Sequence, residues 1–466
     1  MRITDVIDQH ATERPNDLAV IDGVTRLDWA TLRRVVDDAA ERLLLIGLKE
    51  GDRVAVRGHD GAATLVVALA VLRAGGVHVP VDHTLAEPEI DSLIRTLETA
   101  WRIDLSKGAP VGAALAIART GINHAPDPLG SGVSAFLRLS SGTTGAAKGV
   151  LISHVSLRER VIAANRGLQL GPADRVLWLL PMAYHFAVSI LLYLHHGVAI
   201  VFGNALRASG TAAIAREHAV TFAYGSPWHI RRLAELPQGQ DLPSTLRRVV
   251  STTTALDATA AADFRRRHGL GVSQGLGIIE VGLPFLSPGT AGEQVGELGL
   301  PLPDYRVDLL DENGALVNAG PGELAIAGPG LFDAYVTPWR RREALLHGGA
   351  FRTGDRAERL ADGGIRLLGR IKDVINVGGV KVFPLEVESV LQAHPWIALS
   401  RVRSAPDARL SEQVHAEVQL KPGYDPAAVH AELSAWCAQR LAPLKCPAAY
   451  TVVPHFMMTA SGKIIR

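Results

Sequence analysis

The sequence predicts an α/β protein with a large, multi-layered N-terminal domain that includes a β-rich module, followed by a small α+β domain. Three observations support this fold. Segments of helical period alternate with short β-branched runs through the first half of the chain, as in largely parallel sheets. The pattern changes to closely spaced short strands between residues 305 and 330, and it changes again after residue 370. We therefore assign residues 1–371 to the N-terminal domain and residues 372–466 to the C-terminal domain.

The first elements follow a regular order. Asp28 can cap a helix whose apolar face runs from Trp29 to Leu43, and Gly47 can end it. A strand is predicted at residues 53–57, an apolar helix at 62–73, and a second strand at 77–81. This order of strand, helix and strand is the basis for expecting parallel pairing.

The later elements are shorter. Between residues 305 and 330, two short strands flank an Asn313-Gly314 turn. After residue 370 we predict helices at 385–393 and 426–440, and strands at 398–404 and 414–420. A unit of about 95 residues lies within the usual range of domain sizes.

Charge and cysteine content exclude several classes of protein. The 48 Lys and Arg residues nearly balance 47 Asp and Glu residues, and a net charge of +1 argues against a nucleic-acid partner. No basic tract is present that would favour a membrane surface. Cys437 and Cys446 are too few for a disulfide framework or a Cys-rich metal site. This cysteine usage favours a reduced, cytoplasmic location.

One long apolar stretch calls for a choice between a membrane span and a buried core. Residues 176–203 contain no Asp, Glu, Lys or Arg. The stretch also contains Pro181, Gly197 and three histidines, which favour buried strands and helices over a membrane span. The N-terminus shows no signal-peptide pattern.

The strongest local signal is the segment at residues 139–150, Leu-Ser-Ser-Gly-Thr-Thr-Gly-Ala-Ala-Lys-Gly-Val. Its glycines and hydroxyl residues can present backbone N–H groups and hydroxyls to an anion, and Lys148 adds a positive charge. Such a loop suits a polyphosphate. It is not a Walker A motif, because Ala147 and Gly149 flank the Lys. The candidate nucleotide-binding residues here are Ser141, Gly142, Thr143, Thr144, Gly145 and Lys148.

At these residues the sequence resembles the adenylate-forming enzymes, which include acyl- and aryl-CoA synthetases, luciferases and the adenylation domains of peptide synthetases. Residues 140–149 are similar to the phosphate loop of that superfamily. Further blocks resemble the family in order along nearly the whole chain, namely residues 51–54, 75–82, 180–186, 351–355, 369–373, 378–379 and 461–463.

The resemblance implies roles in nucleotide and metal binding. Asp355 would accept hydrogen bonds from both ribose hydroxyls, with Arg370 near the same ribose and the phosphates. Glu280 and Thr144 would bind Mg²⁺, which is usually held between a carboxylate and substrate phosphates. Read without the resemblance, Asp355 would be a turn residue and Glu280 a surface or helix-start acid. The other implied nucleotide-binding residues are Thr253, Gly275, Leu276 and Gly277.

The resemblance also implies three catalytic positions. His185 would gate the carboxylate, although a single His in an apolar run is more often a core residue. Lys372 would lie at a hinge about which the small, mobile C-terminal domain rotates. Lys463 would bring its charge to the reacting carboxylate and phosphate. The chain has eight lysines beside 40 arginines, and three of the eight stand at the implied positions 148, 372 and 463.

The implied activity is ATP- and Mg²⁺-dependent activation of a carboxylic acid as an acyl-adenylate, followed by thioester formation by an AMP-forming acid–thiol ligase. Peptide-synthetase domains use an Asp to hold an α-amino group, and residues 184–190 contain no acid. We therefore expect a small or aryl acid without an α-amino group. Because the chain ends three residues after Lys463, we expect the acceptor, coenzyme A or a separate carrier protein, to come in trans.

Two alternatives remain open at this point. The adenylate could be coupled to an amine or another nitrogen nucleophile instead of a thiol. The chain could also be a degenerate nucleotide-binding protein, because it departs from the family at several positions. These departures are Leu276, Ile279, the Met457-Met458 pair and residues 251–254.

Overall fold

The computed structural model describes residues 2–122, 129–130, 132–140, 148–203, 208–289, 296–458 and 464. In this part of the chain, two eight-stranded sheets, one six-stranded sheet and one five-stranded sheet are present. The helices, in chain order, are α1 (Asp5–Glu13), α2 (Trp29–Leu45), α3 (Ala62–Arg73), α4 (Glu87–Thr96), α5 (His154–Leu168), α6 (Met182–His185), α7 (Leu191–His195), α8 (Ala208–Glu217), α9 (Pro227–Ala234), α10 (Ala258–His268), α11 (Pro384–Gln392) and α12 (Val429–Ala438).

The strands, in chain order, are β1 (Leu18–Asp22), β2 (Thr25–Asp28), β3 (Arg53–Arg57), β4 (Val77–Val81), β5 (Trp101–Asp104), β6 (Ala116–Arg119), β7 (Ser134–Leu139), β8 (Gly149–Ser153), β9 (Arg175–Trp178), β10 (Ala199–Phe202), β11 (Phe222–Gly225), β12 (Arg248–Ser251), β13 (Val272–Ile278), β14 (Gly282–Leu286), β15 (Glu297–Gly299), β16 (Arg306–Leu310), β17 (Gly322–Ala327), β18 (Ala334–Val336), β19 (Trp339–Arg341), β20 (Leu346–His347), β21 (Ala350–Arg359), β22 (Ile365–Arg370), β23 (Ile375–Val377), β24 (Val380–Val382), β25 (Ile397–Asp407), β26 (Ser411–Leu420) and β27 (Ala449–Val452).

The first eight-stranded sheet has the strand order β14-β13-β12-β11-β9-β10-β1-β2. Its pairs from β13 to β1 are parallel, and only the two edge hairpins are antiparallel. The carboxyl ends of β9, β11, β12 and β13 therefore meet at one edge. Ligands bind at such an edge in open α/β sheets.

The second eight-stranded sheet has the order β19-β18-β8-β7-β4-β3-β5-β6. Strands β7, β4, β3 and β5 are parallel. Helix α3 packs on the face that carries Val54 and Val56, whereas α4 packs on the opposite face beside Ala55. Strands β7 and β8 form a hairpin in which Leu139 pairs with Gly149, so this pairing closes the two ends of the predicted phosphate loop.

The predicted β-rich module is a six-stranded sheet in the order β15-β22-β21-β17-β16, with β20 beside β21. Strands β16 and β17 pair antiparallel, and Gly314 adopts a φ of 86° in the segment between them. The interpretation of Asp355 as a turn residue was wrong. Asp355 lies within β21, where it pairs with Arg370 of β22, because the left-handed Gly354 (φ 73°) is accommodated inside the strand.

The last sheet, in the order β24-β23-β26-β25 with β27 beside β26, packs against α11 and α12. Its apolar core draws only on residues between 375 and 452. The predicted elements of this region are present, although β25 and β26 extend beyond the predicted bounds and a short 3₁₀ turn precedes α12.

The predictions for the N-terminal elements are confirmed. Strands β3 and β4 and helix α3 have the predicted bounds, and the Asp28 carboxylate accepts a hydrogen bond from the Thr31 N–H at 2.7 Å at the start of α2. The apolar stretch at 176–203 forms β9, α6, a π-helical turn (Phe186–Ile190), α7 and β10. None of the helices in the described ranges is long and apolar enough to cross a membrane.

Candidate active site

Several of the predicted nucleotide-binding and catalytic residues lie at the carboxyl edge of the first sheet. Thr252 and Thr253 follow β12, and Thr252 Oγ1 donates a hydrogen bond to the carbonyl of Gly275 in β13 at 2.9 Å. The predicted residues Leu276 and Gly277 continue β13 toward the turn that carries Glu280. His185 follows β9 at the end of α6. The sheet topology therefore places these residues at one edge.

Thr253 has an unusual backbone conformation. Its φ is 81°, in the left-handed region that a β-branched residue rarely adopts. Its hydroxyl oxygen is buried and has no hydrogen-bond partner among the described residues. Strain of this kind persists where the surrounding structure imposes it, and it concentrates at functional sites.

Glu280 is a buried acid in the turn between β13 and β14, with 9% of its surface exposed. The Tyr335 hydroxyl donates a hydrogen bond to Glu280 Oε1 at 3.0 Å, and the Phe332 N–H donates to the Glu280 carbonyl at 2.8 Å. Burial, and then the adjacent Glu280 charge, raise the pKa of Tyr335 well above its usual range. The phenol therefore remains a hydrogen-bond donor to the carboxylate.

The same tyrosine also contacts Lys148 at the end of the predicted phosphate loop. The Lys148 ammonium lies 4.9 Å from the centroid of the Tyr335 ring, within the range of a cation–π interaction. Tyr335 lies on β18, which pairs with β8 immediately after Lys148. One aromatic side chain thus joins a predicted phosphate-binding cation to a predicted metal-binding carboxylate. We refer to Lys148, Tyr335 and Glu280 as the central array.

A buried arginine of α5 supports this array from behind. Arg160, which is 1% exposed, donates hydrogen bonds to the Gly330 carbonyl at 2.6 and 2.9 Å and to the Ile279 carbonyl at 3.0 Å. Burial lowers the pKa of Arg160 to about 10, so the side chain remains charged at neutral pH. The neighbouring Glu159 accepts a hydrogen bond from the Gly330 N–H at 3.0 Å. Hydrogen bonds from helix α5 therefore hold the backbone at Ile279, which precedes Glu280, and at Gly330, which leads to Tyr335.

His185 lies in an aromatic environment. Its ring makes edge contacts with Trp178 at 6.0 Å and with Tyr224 at 6.3 Å between centroids. The indole N–H of Trp178 is buried without a hydrogen-bond partner among the described residues. The π-helical turn begins directly after His185, and such turns are frequent at functional sites.

Arg138 connects the His185 segment to the central array. Its guanidinium donates a hydrogen bond to the Tyr184 carbonyl at 2.6 Å and lies 5.4 Å from the Tyr184 ring centroid. Burial lowers the pKa of Arg138, while the Glu280 charge acts in the opposite direction. Arg138 therefore holds the backbone next to His185 and is attracted electrostatically to Glu280.

Asp355 and Arg370 form an ion pair on the β-rich module. Arg370 Nε lies 2.8 Å from Asp355 Oδ1, and Arg370 Nη1 donates to the Thr353 carbonyl at 3.0 Å. Asp355 is 7% exposed, whereas the side chain of Arg370 is 40% exposed. The structure brings these two predicted residues together. The rings of Phe351 on β21 and Phe332 lie 5.4 Å apart, which ties the same strand to the segment that contacts Glu280.

The structure describes only one of the remaining predicted residues, Lys372. Lys372 lies exposed in a 3₁₀ turn (Ile371–Asp373) between β22 and β23. Lys463 and the loop residues Ser141, Gly142, Thr143, Thr144 and Gly145 lie outside the described residues. Sequence reasoning missed Tyr335, Arg160 and Arg138, whose contacts are made with residues far away in the sequence.

The metal prediction depends on a single described carboxylate. No group of three or more His, Cys, Asp or Glu side chains in the described ranges could hold a metal by itself. Glu280 offers hard oxygen atoms beside the end of the phosphate loop, which fits a Mg²⁺ ion that takes its other ligands from phosphates and water.

Two family models match this chain. The model for AMP-binding enzymes matches residues 7–336, and the model for their C-terminal domain matches residues 386–463. A feruloyl-CoA synthase from Amycolatopsis sp. is 29% identical over 478 residues, covering 98% of this chain and 96% of that protein.

Two solved structures share the fold across the whole chain. ATP-bound MatB from Rhodopseudomonas palustris has a TM-score of 0.86 at 24% identity, covering 100% of this chain and 97% of that one. The amide bond synthetase McbA from Marinactinospora thermotolerans has a TM-score of 0.84 at 24% identity, covering 100% and 98%. These matches confirm the predicted fold class with its smaller C-terminal domain.

Proposed function

The chain belongs to the family of AMP-binding enzymes, and from this premise we propose that it activates a carboxylic acid with ATP and Mg²⁺ as an acyl-adenylate and then transfers the acyl group to a thiol. The observation that carries the proposal is the central array, in which Tyr335 joins Lys148 to Glu280. It combines a cation at the end of the phosphate loop with a buried carboxylate. This is the charge pattern that a metal-bound polyphosphate requires.

In the first step, a carboxylate oxygen of the acid attacks the α-phosphorus of ATP and pyrophosphate leaves. We propose that Lys148 contacts the phosphates, that Asp355 and Arg370 hold the ribose, and that Thr253, Gly275, Leu276 and Gly277 line the nucleotide site. Glu280, with Thr144, would hold Mg²⁺, which supplies charge neutralisation for the phosphates when bound. Catalysis by these residues is positioning and charge stabilisation, so no side-chain nucleophile is needed.

In the second step, a thiol sulfur attacks the acyl carbon and AMP leaves. We propose that Lys463 acts only in the first step, and that residues 372–466 rotate about Lys372 between the steps. The exposed 3₁₀ turn at Lys372 supports a hinge there, because it lies between two separately packed sheets. We also propose the domain boundary at residues 371 and 372 on this basis.

The proposed acid is an aryl acid without an α-amino group, and the proposed acceptor is coenzyme A or a separate carrier protein. The aromatic surroundings of His185 support a planar substrate. The similarity to a feruloyl-CoA synthase supports the same class of acid. Transfer to an amine is the second candidate, because an amide bond synthetase shares the fold.

The test is pyrophosphate release from ATP and Mg²⁺ with a panel of aryl, short-chain and long-chain acids, followed by product analysis with coenzyme A or an amine. We expect aryl acids to release pyrophosphate and coenzyme A to yield a thioester. Amide product with no thioester would overturn the acceptor assignment. An absence of pyrophosphate release with every acid, in a folded protein that binds ATP, would favour the degenerate nucleotide-binding protein.

A further inference from the structure

The second eight-stranded sheet has a crevice of its own at the carboxyl ends of β3, β4 and β5. The loop at residues 58–61 leads from β3 to α3, and the loop at residues 82–86 leads from β4 to α4. The two helices lie on opposite faces of the sheet, so the loops part between neighbouring strands. Open α/β sheets bind ligands in crevices of this kind.

A cavity of about 260 Å³ occupies this crevice. Its polar lining comes from Arg57, His59, His83, Asp104 and Ser106. His59 and His83 come from the two separate loops, and their ring centroids lie 4.1 Å apart. The cavity lies below the roughly 300 Å³ at which drug-sized ligand sites begin, so it suits a small polar group.

Two positively charged side chains, Arg57 and Lys107, lie near the two rings, and Arg57 is also 3.8 Å from the Asp104 carboxylate. Arg57 is held at the rim, because its guanidinium donates to Glu87 at 2.7 Å and to the His83 and Leu85 carbonyls at 3.3 and 3.1 Å. Lys107 is exposed in the loop after β5. Burial lowers the pKa of His59, and the charges of His83, Lys107 and Arg57 lower it further.

Most oxygens of the nearby carboxylates are already engaged, whereas Asp82 Oδ2 is buried without a hydrogen-bond partner among the described residues. Arg102 donates to both oxygens of Asp104, at 2.6 and 3.0 Å, and also to Glu87. Asp82 Oδ1 accepts hydrogen bonds from the backbone and hydroxyl of Thr84 and lies 3.7 Å from His83 Nδ1. The groups facing the imidazoles are therefore Arg57, Lys107, Asp82 and Asp104.

We propose that this crevice is a phosphate-binding site in which His59 and His83 donate hydrogen bonds to a phosphate group, with Arg57 and Lys107 supplying positive charge and Ser106 a hydroxyl. A phosphate suits these groups because it carries several acceptor oxygens and up to two negative charges. The ligand is either free orthophosphate or the phosphate of a phosphorylated thiol. The site lies on a different sheet from the proposed nucleotide site, and only the phosphorylated thiol as its ligand rests on the proposed function.

The crevice contacts the segment that carries His185. Asp60, next to His59, accepts a hydrogen bond from the Met182 N–H at 2.7 Å. Burial, and then the charge of Asp82 next to His83, raise the pKa of Tyr184 to about 12. A ligand in the crevice would therefore contact the two loops that support the segment of His185, the residue predicted from the sequence to gate the carboxylate.

The test follows the imidazole NMR resonances of His59 and His83 in the full-length protein, without ATP or acid, during titration with orthophosphate, 4′-phosphopantetheine and pantetheine. We expect both phosphate-containing probes to shift these resonances and pantetheine to leave them unchanged. Equal affinity for the two phosphate probes would indicate free phosphate, whereas tighter binding of 4′-phosphopantetheine would indicate a phosphorylated thiol. If neither phosphate probe shifts the resonances, or if pantetheine shifts them equally, the proposal is overturned.

Three variants sharpen the result. His59→Gln and His83→Gln should each weaken phosphate binding about tenfold, because each removes a charge-assisted hydrogen bond. His347→Gln, at an exposed histidine on β20, should leave binding unchanged. An equal loss of phosphate binding in all three variants would overturn the proposal. These titrations contain neither ATP nor an acid, so no adenylate can form. A lack of phosphate binding in them is therefore distinguishable from a lack of the proposed activity.

Discussion

Arg370 Nε lies 2.8 Å from Asp355 Oδ1, and this ion pair joins the last two long strands of the β-rich module. The carboxylate is almost fully buried, while the guanidinium reaches solvent. Arg370 thus neutralises the buried charge and leaves the carboxylate in a fixed orientation. A fixed carboxylate is what recognition of two adjacent ribose hydroxyls requires.

The first prediction concerns nucleotide affinity. Asp355→Asn should weaken ATP binding by about 1.5–3 kcal/mol, because a charged acceptor for the ribose is lost and Arg370 is left without its partner. Calorimetric titration with ATP measures this loss. Asp362→Asn, at an exposed turn residue beyond the same strand, is the matched control and should bind ATP like the parent. Unchanged affinity in folded Asp355→Asn would remove Asp355 from the nucleotide site.

The second prediction separates the two contacts of Tyr335. Tyr335→Phe keeps the ring beneath Lys148 but removes the hydroxyl that orients Glu280. The Mg²⁺ concentration for half-maximal pyrophosphate release should rise about tenfold, the usual effect of losing a partner of a metal ligand. Tyr335→Leu removes the ring as well, and should also raise the KM for ATP.

The control for this pair is Tyr424→Phe, because Tyr424 is a partly exposed tyrosine of the C-terminal region. Its Mg²⁺ dependence should match that of the parent protein. If Tyr335→Phe raised the KM for ATP and left the Mg²⁺ dependence unchanged, the hydroxyl would have no role in orienting Glu280.

The third prediction assigns Lys463 to a single half-reaction. Lys463→Ala should slow adenylate formation by roughly 10²–10³-fold, on the scale of losing one preorganised donor. When presynthesised acyl-adenylate is supplied, the same variant should form thioester at nearly the parental rate. Single-turnover measurements of each half-reaction test both statements. Equal loss in both half-reactions, or loss in neither, would contradict the assignment.

The fourth prediction concerns stability against acid. His154 is buried, its Nδ1 accepts a hydrogen bond from the Ile3 N–H at 3.2 Å, and burial lowers its pKa to about 4. Between pH 4 and 6.5 the unfolded chain therefore binds a proton that the folded chain does not. The stabilisation is complete above about pH 6.5 and is lost as the pH falls toward 4, by up to about 3 kcal/mol.

Urea unfolding at pH 7.5 and pH 5 measures this effect. His154→Gln should reduce the difference in unfolding free energy between the two pH values, whereas His347→Gln, at an exposed position, should leave the difference unchanged. An identical pH dependence in His154→Gln and the parent would show that His154 makes no contribution.

The family relationship was predictable from the sequence, and the family models confirm it. The predicted class of an AMP-forming acid–thiol ligase is supported by relatives that are CoA synthases and ligases. Local elements were also predictable, because the periodicity of residues 53–81 is contained within each helix or strand. The contacts of the central array were not predictable from the sequence. Tyr335 reaches Glu280 across 55 residues and Arg160 reaches Ile279 across 119, so no local pattern records either contact.

Asp355 shows the opposite case, in which a local pattern was misleading. Thr-Gly-Asp favours a turn when read alone. In the sheet, the pairing of Asp355 with Arg370 and the hydrogen bond from the Thr353 hydroxyl to the Leu324 carbonyl keep the segment extended. Tertiary pairing therefore decided the conformation against the local preference.

The left-handed Thr253 bears on how this protein would respond to laboratory evolution. A non-glycine residue in that conformation costs about 1–3 kcal/mol, and glycine would relieve the strain. A library screened only for heat resistance should therefore enrich glycine at this position. If the unpaired hydroxyl of Thr253 faces a ligand, a library screened for turnover should deplete the same substitution. Opposite enrichment in the two screens would identify Thr253 as a residue kept for its chemistry at the expense of the stability of the fold.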